Sequence, residues 1–473
     1  MTYALLDNAT LSAVQRVLGD AEISNPDTIN GDLLAFENLI LAILFFDQLV
    51  CIDNYKEEYR QQRVERFPYI RFLSPTELGL QEVEAEAKKA AASIKPAIIG
   101  GKFEDNEFSE LLELLKLNMT CTWDLRSSVY YLTMKMLGQP NTKEYEKYSQ
   151  LSSAIYSELV ESSTTKGYWS KEVRLVSSTG QEFTEEDFKQ ARDLACRGFG
   201  GTTKALDMFI ASLNWLAFKT IYYSMTARYL EADTFLHPIR HAYQMNWMSK
   251  HGVYGSDIAT ELVASLSQAT ANAVTNVISH GRSASIKYTL PVFSAALIQR
   301  AGSPSGVLEL AFELKKENAI SEIRGALREI KNAYQQEGYE GSSPLVTKWM
   351  KFINAGCEAT LAKYGVATEQ GIHSTTLINI YNSIAPFTTG YKVPGFNFNI
   401  PYPEILKSRR TKAFGMVIRD VVAGLTSIER LGAIRDQLAT QFRYKENWDE
   451  IYMPPKTEDP KFASYSSDWK IPM

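Results

Sequence analysis

Three acidic residues in the first part of the chain stand where carboxylates could bind a metal ion. Asp7 ends the short apolar run TYALLD, Glu37 lies inside the apolar segment LLAFENLILAILFF, and Asp124 ends TCTWD directly before a helical pattern. A carboxylate buried among apolar side chains needs a partner that compensates its charge. Carboxylates that meet at strand ends can bind Mg²⁺ or Mn²⁺, which activates water and stabilises charge on a reacting phosphate. The pattern therefore predicts a divalent-metal site, provided that the side chains converge.

Asp7 also has a purely structural interpretation. The segment that follows it, NATLSAVQRVLG, has helical spacing and ends on a Gly, so Asp7, Asn8 or Thr10 could be the N-cap of a helix. A turn or capping role needs no other acid nearby. The distances among the carboxylates decide between the two interpretations.

The segments around these acids alternate between strand and helix patterns. TYALL, QLVCID and PYIRFLSP are apolar runs typical of buried strands, and TCTWD is a further short candidate. GDLLAFENLILAILFF predicts an apolar helix, and NYKEEYRQQRVERF a charged helix that faces solvent. Alternating strands and helices predict parallel βαβ units, in which ligands bind beyond the carboxyl ends of the strands.

The pattern changes after the first third of the chain. EVRLVSSTGQEFT predicts a β-hairpin, and nearly everything that follows it has helical periodicity. We therefore predict a mainly helical protein in which an α/β domain with a short parallel sheet precedes a larger all-α domain. The predicted boundaries are 1–165 for the α/β domain, 166–185 for the hairpin junction, 186–445 for the helical domain and 446–473 for an extended tail rich in aromatic residues and Pro.

Two further clusters in the helical part have a functional and a structural interpretation each. In CRGFGGTTKA the Lys follows two Thr residues, whereas a phosphate-binding P-loop needs Gly-Lys-Ser/Thr, so a Gly-rich hinge before a helix is the better interpretation.

His237 and His241 are spaced i, i+4, as in zinc-binding helices. No third ligand is identifiable, and local packing of these histidines at a helix start is favoured.

Basic residues form two local groups. Arg324, Arg328 and Lys331 are spaced to form one stripe of a helix, which is either a solvated face or a phosphate contact. The segment EILKSRRTKAFG is a second group, in which a nucleic-acid contact is possible near Lys407, Arg409, Arg410 and Lys412. The whole chain has a net charge of -5, which argues against a protein that coats nucleic acid by charge alone.

Composition limits the class and the location of the protein. At 473 residues with 45% hydrophobic residues, the chain is long enough for more than one core. The 4 cysteines have no paired spacing, which favours a reducing, cytoplasmic location. The longest apolar stretch, LILAILFFDQLVCI, is interrupted by Asp47 and is shorter than the roughly 20 residues of a membrane helix, so no membrane association is predicted.

The order of acids in the first 140 residues or so resembles the PIN-like nuclease superfamily. The resemblance lies in an Asp that closes the first strand, a Glu in the second helix and an Asp that opens a later helix, here in TWDLRSSVYYLTMKMLG. It implies that Asp7, Glu37 and Asp124 are catalytic and bind Mg²⁺ or Mn²⁺. The segment QPNTKEYEKYSQLSSAIYSEL departs from the family, because it continues as helix where a strand ending in a fourth acid is expected.

Two functions are therefore expected from the sequence. The first is a divalent-metal-dependent nuclease, a phosphodiesterase that acts as a bacterial toxin or an anti-phage defence component. The alternative is a non-enzymatic helical interaction or scaffold subunit of a larger complex. Its protein partner, or a second copy of the chain, would bind the helical domain and the aromatic tail. A small-molecule enzyme with a pocket in the helical domain is a third class, because such sites leave little trace in one sequence.

Overall fold

The fold combines a short parallel sheet with many helices, as the sequence predicts. The computed structural model describes residues 1–21, 29–55, 57–94, 98–99, 102–103, 175–176, 182–183, 202–238, 240–241, 243–244, 258–281, 291–366 and 409–426. The predicted strand TCTWD with Asp124, the Pro-rich segment before residue 409 and the tail 446–473 lie outside these ranges. The predicted domain boundaries stay predictions.

Helices account for most of the described residues. They are α1 (Asn8–Val17), α2 (Ile29–Phe45), α3 (Glu57–Arg66), α4 (Gln81–Ser93), α5 (Thr202–Tyr229), α6 (Ile258–Gly281), α7 (Val292–Ala301), α8 (Pro304–Leu314), α9 (Asn318–Lys363) and α10 (Arg409–Gly424). Helix α5 begins at the first Thr of the Gly-rich segment, where a capped helix start is expected. None of the described helices is long and apolar enough to cross a membrane.

The strands form one four-stranded sheet and two short hairpin-like ladders. The strands are β1 (Tyr3–Leu6), β2 (Gln48–Ile52), β3 (Ile70–Leu73), β4 (Ile98–Ile99), β5 (Lys102–Phe103), β6 (Leu175–Val176), β7 (Glu182–Phe183) and β8 (Asp233–Phe235). Strands β4 and β5 pair antiparallel. The antiparallel pairing of β6 with β7 confirms the predicted hairpin.

The main sheet is parallel throughout, in the order β3-β2-β1-β8. Strand β1 lies in the interior of the sheet, so Ala4 pairs with Leu49 on one side and with Asp233 on the other. All these strands run in the same direction, so the residues that follow β1, β2 and β8 meet at one edge of the sheet, hereafter the carboxyl edge.

Strand β8 is the main difference from the sequence prediction. Its three residues lie inside the segment 186–445, which the sequence predicts to be all helical, and Asp233 with Pro238 had indicated a helix start. A strand of this length is too short to show alternation of apolar and polar residues. Its partner β1 is more than 200 residues away in the chain, so local sequence carries no signal for the pairing.

One contiguous apolar core connects the sheet to the later helices. Helix α2 is apolar on nearly all sides, as expected for a helix that is covered all round. It packs against α1 and also against α7, α8 and α9, while α10 packs along α9. The carboxyl edge of the sheet is therefore held by groups from distant parts of the chain.

The carboxyl edge of the sheet as candidate functional site

Asp7 lies at the carboxyl end of β1 and is completely buried. It is the N-cap of α1, because its Oδ1 accepts a hydrogen bond from the Thr10 amide at 2.8 Å. The amide of His237, just after β8, donates to both carboxylate oxygens at 3.2 Å. Arg240 adds a charged contact, with its Nη1 2.7 Å from Oδ2. The structural interpretation of Asp7 as a cap is thus confirmed.

The charge of Asp7 is compensated inside the protein. Burial alone would raise the pKa of Asp7, but Arg240 and the Thr10 hydrogen bonds outweigh it, and the pKa is lowered from its ordinary value of 3.8. Arg240 is equally buried, and burial lowers its pKa although Asp7 opposes this shift. The lowered pKa keeps Asp7 ionised at neutral pH, and arginine stays protonated in proteins. The two residues therefore form a buried ion pair that joins β1 to the segment after β8.

A second buried ion pair lies near the first. Arg16 of α1 makes two hydrogen bonds to Asp32 of α2, at 2.7 Å from Nε and 2.6 Å from Nη2. The His237 side chain is influenced by both pairs, and burial lowers its pKa while Asp7 and Asp32 act in the opposite direction. Both buried ion pairs are therefore part of the electrostatic surroundings of the His237 side chain.

The two histidines spaced i, i+4 differ in burial and in the described side chains near them. His237 is buried near Asp7, whereas the His241 Nε2 lies 3.5 Å from Glu261 of α6. No group of three or more metal-ligating side chains occurs within the described ranges. The metal-binding interpretation of their spacing stays untested.

Glu37 is buried and holds the start of another helix. Its carboxylate accepts hydrogen bonds from the amides of Phe293 and Ser294, at 3.1 and 2.7 Å, and from the hydroxyls of Ser294 and Ser267. These amides belong to the first turn of α7, whose N–H groups have no partner within the helix. Burial raises the pKa of Glu37, and the hydrogen bonds oppose this shift without cancelling it. The partner that we expected for a carboxylate in this apolar helix is therefore the N-terminus of α7.

The surroundings of Asp7 and Glu37 do not fit a cation. Every described group that contacts either carboxylate donates a hydrogen bond or carries a positive charge, whereas a metal site needs several uncompensated oxygens that converge. Among the described residues, Asp7 and Glu37 also share no hydrogen-bond partner. Asp124 lies outside the described residues, so the predicted Mg²⁺ or Mn²⁺ site stays a prediction.

A third network at the carboxyl edge was not predicted from the sequence. Asn8 donates through Nδ2 to the Oδ1 of Asn54 at 2.6 Å and accepts through Oδ1 from Arg63 Nη1 at 2.8 Å. The Tyr223 hydroxyl, from α5, lies 3.4 Å from both amide side chains. Arg63 belongs to the charged helix that was expected to face solvent, yet it is only 1% exposed.

The predicted basic groups are largely engaged within the protein. Arg324 donates to the backbone carbonyls of Leu44 and Lys315, and Lys331 pairs with Asp233 at 2.9 Å. Lys331 is therefore an anchor for β8 rather than part of a solvated stripe. In the second basic group Arg410 pairs with Glu322 and Glu329, while Arg409 and Lys412 are exposed and Lys407 lies outside the described residues.

No protein-family model, curated protein or solved structure matches this chain. The function is therefore argued from the carboxyl edge itself.

Proposed function

We propose that this chain is a non-enzymatic interaction subunit in which the carboxyl edge of the sheet has a structural role. The observation that carries the proposal is the buried ion pair between Asp7 and Arg240, at 2.7 Å. In a metal-dependent nuclease this carboxylate would be free to bind the cation. Here an arginine from the segment after β8 supplies the positive charge instead.

A metal ion would have to displace Arg240 to reach Asp7. The displaced guanidinium would remain buried without its carboxylate, a situation that costs about 3–5 kcal/mol in proteins. The bonds from Thr10 and His237 would also have to break, because they occupy the remaining acceptor positions of Asp7. These costs favour the ion pair over a metal centre built on Asp7.

The sequence supplies candidate surfaces for a partner. The segments SIAPFTTGYKVPGFNFNIPYPEIL and WDEIYMPPKTEDPKFASYSSDWKIPM combine Pro with many aromatic residues, a composition suited to docking on another protein. Both lie outside the described residues. The partner is a second copy of the chain or another protein that binds the helical part.

The experiment measures assembly and cleavage on the same full-length sample. We expect native mass spectrometry and light scattering to show a defined oligomer or a retained protein partner. Incubation with single-stranded RNA or DNA in Mg²⁺ or Mn²⁺ is expected to give no cleavage above background. A strictly monomeric chain that retains no partner argues against the proposal, and metal-dependent cleavage that is lost in Asp7→Asn disproves it.

A metal-dependent nuclease of a toxin or defence system is the second candidate. It is favoured by the place of Asp7, which follows an interior strand of a parallel sheet, where α/β proteins bind their ligands. In that case Asp7→Asn and Glu37→Gln should each abolish cleavage while the parent protein cleaves in Mn²⁺ or Mg²⁺. Equal rates in the parent and both variants would eliminate this candidate.

A further inference from the structure

Lys315, the C-cap of α8, lies beside the carboxyl-terminal end of α2. Its Nζ donates to the carbonyl oxygen of Asp47 at 3.2 Å and has no other partner among the described residues. The Asp47 carboxylate instead accepts from the amide and the hydroxyl of Thr2, at 2.8 and 3.2 Å. The Lys315 amine is therefore held by a neutral carbonyl group. The helical segments that form this corner, 31–55 and 306–338, are described without a gap.

Arg324 of α9 lies next to this amine. Its Nη1 donates to the carbonyl oxygen of Lys315 at 2.6 Å and to that of Leu44, near the end of α2, at 3.1 Å. Its Nε and Nη2 make no hydrogen bond with a described residue, and Arg328, one helical turn further along α9, is exposed. A guanidinium that is fixed through one nitrogen keeps its other N–H groups available for an oxyanion.

The surroundings of Lys315 disfavour its protonated form. Burial lowers the pKa of Lys315 to about 8, with Arg324 acting in the same direction and Asp47 opposing it. Burial also lowers the pKa of Arg324, where Asp47 again opposes the shift and Arg328 adds to it. The mutual effect of these cations agrees with their bonds to carbonyl groups of the same corner. A fraction of Lys315 is thus a neutral amine at neutral pH, and a neutral amine is a nucleophile.

We propose that Lys315 is a site of acylation by acyl phosphates, with Arg324 and Arg328 attracting the phosphate end of the reagent. The lone pair of the neutral Nζ attacks the acyl carbon, and the bond from this carbon to the phosphate oxygen breaks. Phosphate leaves with the electron pair of that bond, and the amine releases one proton to the solvent. The amide that forms still has an N–H group for the carbonyl oxygen of Asp47.

The reagent class follows from the shape and the charge of this corner. Lys315 and Arg324 are half-buried, so the corner suits a small reagent. The unoccupied N–H groups of Arg324 favour an anionic reagent over a neutral one. The site is separate from the proposed function, because Asp47 precedes β2 and therefore lies at the opposite edge of the sheet from Asp7. Assembly of the chain and acylation of Lys315 can thus fail independently.

The test treats the full chain with acetyl phosphate at about pH 7.5 and follows the acetylation of each lysine by tandem mass spectrometry. Lys316 is the internal control, because it is the next residue in the chain and is exposed. We expect Lys315 to react about 5- to 20-fold faster than Lys316, since its larger neutral fraction outweighs the lower nucleophilicity of a less basic amine. This comparison needs no variant.

The pH profile of the rate identifies the amine that titrates. The rate at Lys315 should level off above about pH 8, whereas an exposed lysine such as Lys316 should gain rate up to about pH 10. The other charged groups of the corner are Arg324, Arg328, Asp47 and Glu317. Side chains of these types ordinarily titrate below about pH 5 or above about pH 12, so a plateau near pH 8 belongs to Lys315.

A neutral reagent and two variants test the role of the arginines. With the N-hydroxysuccinimide ester of acetic acid, the ratio of the rates at Lys315 and Lys316 should be about 2- to 5-fold smaller than with acetyl phosphate. Arg324→Gln should slow acetylation of Lys315 about 3- to 10-fold and move the plateau to higher pH, because a positive charge is lost. The matched control is Arg419→Gln, which removes an exposed arginine paired with its neighbour Asp420 at 3.0 Å and should change the rate less than about twofold.

Four results would each overturn the proposal. The first is a rate at Lys315 that does not exceed the rate at Lys316, and the second is a rate at Lys315 that keeps rising to about pH 10. The third is the same ratio of rates with the anionic and the neutral reagent. The fourth is a folded Arg324→Gln variant, as judged by circular dichroism, that reacts like the parent. If this variant does not fold, the first three measurements on the parent decide.

Discussion

Replacement of Asp7 by Asn tests whether this carboxylate stabilises the fold or serves a metal. The variant keeps the shape of the side chain and an oxygen that can cap α1, but it removes the negative charge that faces Arg240. Arg240 is only 2% exposed, so water does not replace the lost partner. The main effect of the variant is therefore the loss of the negative charge by which Asp7 compensates Arg240 inside the protein.

The magnitude follows from the geometry of the pair. At the 2.7 Å separation of Nη1 and Oδ2, the gross attraction is about 6 kcal/mol at an effective dielectric constant of about 20. Desolvation of both groups offsets much of this energy, but the desolvation cost of Arg240 remains in the variant. We therefore expect Asp7→Asn to lower the free energy of unfolding by about 3–5 kcal/mol.

Urea unfolding followed by circular dichroism gives this free energy, and two variants serve as controls. Asp20→Asn removes a carboxylate from the half-exposed pair with Arg66 and should cost less than about 1 kcal/mol. The double variant Asp7→Asn with Arg240→Met removes both buried charges, so it should recover more than half of the loss caused by Asp7→Asn. A loss below about 1 kcal/mol in Asp7→Asn, or no recovery in the double variant, would refute the structural role of the pair.

The pH dependence of stability provides an independent readout. The pKa of Asp7 is lowered in the folded protein, so its contribution is complete above its ordinary value of 3.8 and is lost as the pH falls through the lower, folded-state value. The stability difference between the parent and Asp7→Asn should therefore be largest near neutral pH and should shrink in acid. A difference that is constant down to about pH 2 would contradict the assigned charge state.

Three further stability predictions follow from individual contacts, each measured by urea unfolding. A Cβ added at Gly356 would lie 3.0 Å from the Gly415 Cα. Because a backbone atom cannot move away without shifting its helix, we expect Gly356→Ala to lower the free energy of unfolding by about 1–3 kcal/mol. A Cβ added at Gly415 would be in ordinary van der Waals contact, at 3.8 Å from the Gly356 Cα, so Gly415→Ala should raise the free energy of unfolding by about 0.5–1 kcal/mol through helix propensity. Equal effects of the two substitutions would contradict the packing of α9 on α10. Glu37→Gln should cost about 1–3 kcal/mol, because an amide NH₂ group cannot accept from the first-turn amides of α7, and an unchanged stability would show that the cap is not needed. Gln15→Glu should raise stability by about 1–2 kcal/mol at neutral pH by compensating Arg63, and the gain should vanish below about pH 4, when the introduced carboxylate is protonated.

Local patterns were sufficient to predict the first part of the fold. The apolar runs before Asp7 and before Asp53 form β1 and β2, and the helix with Glu37 is covered on nearly all sides. Each of these signals lies within a few residues of the element that it predicts. The prediction that Glu37 needs a partner is also confirmed, because a buried carboxylate requires hydrogen-bond donors and the Ser294 amide is one of them.

The partners themselves could not be predicted from local patterns. Arg240, His237 and the whole of β8 reach Asp7 from more than 200 residues further along the chain, and the Ser294 amide reaches Glu37 from a similar separation. The burial of Arg63 was not predicted either, because its helix is rich in charged residues and was expected to face solvent. One arginine of that helix points instead into the network around Asn8, at a position that composition does not distinguish from its neighbours.

Asp7 and Arg63 both lie near the carboxyl edge, but they differ in how their charges are compensated. Asp7 occupies the place where a metal-dependent enzyme would keep negative charge, but Arg240 compensates it. Arg63 lies close by, and its hydrogen-bond partners among the described residues are all neutral. A cation that approaches Asp7 therefore meets the guanidinium of Arg240 and lies near that of Arg63, and both disfavour its binding. The two arginines therefore weaken the interpretation of Asp7 as a metal ligand.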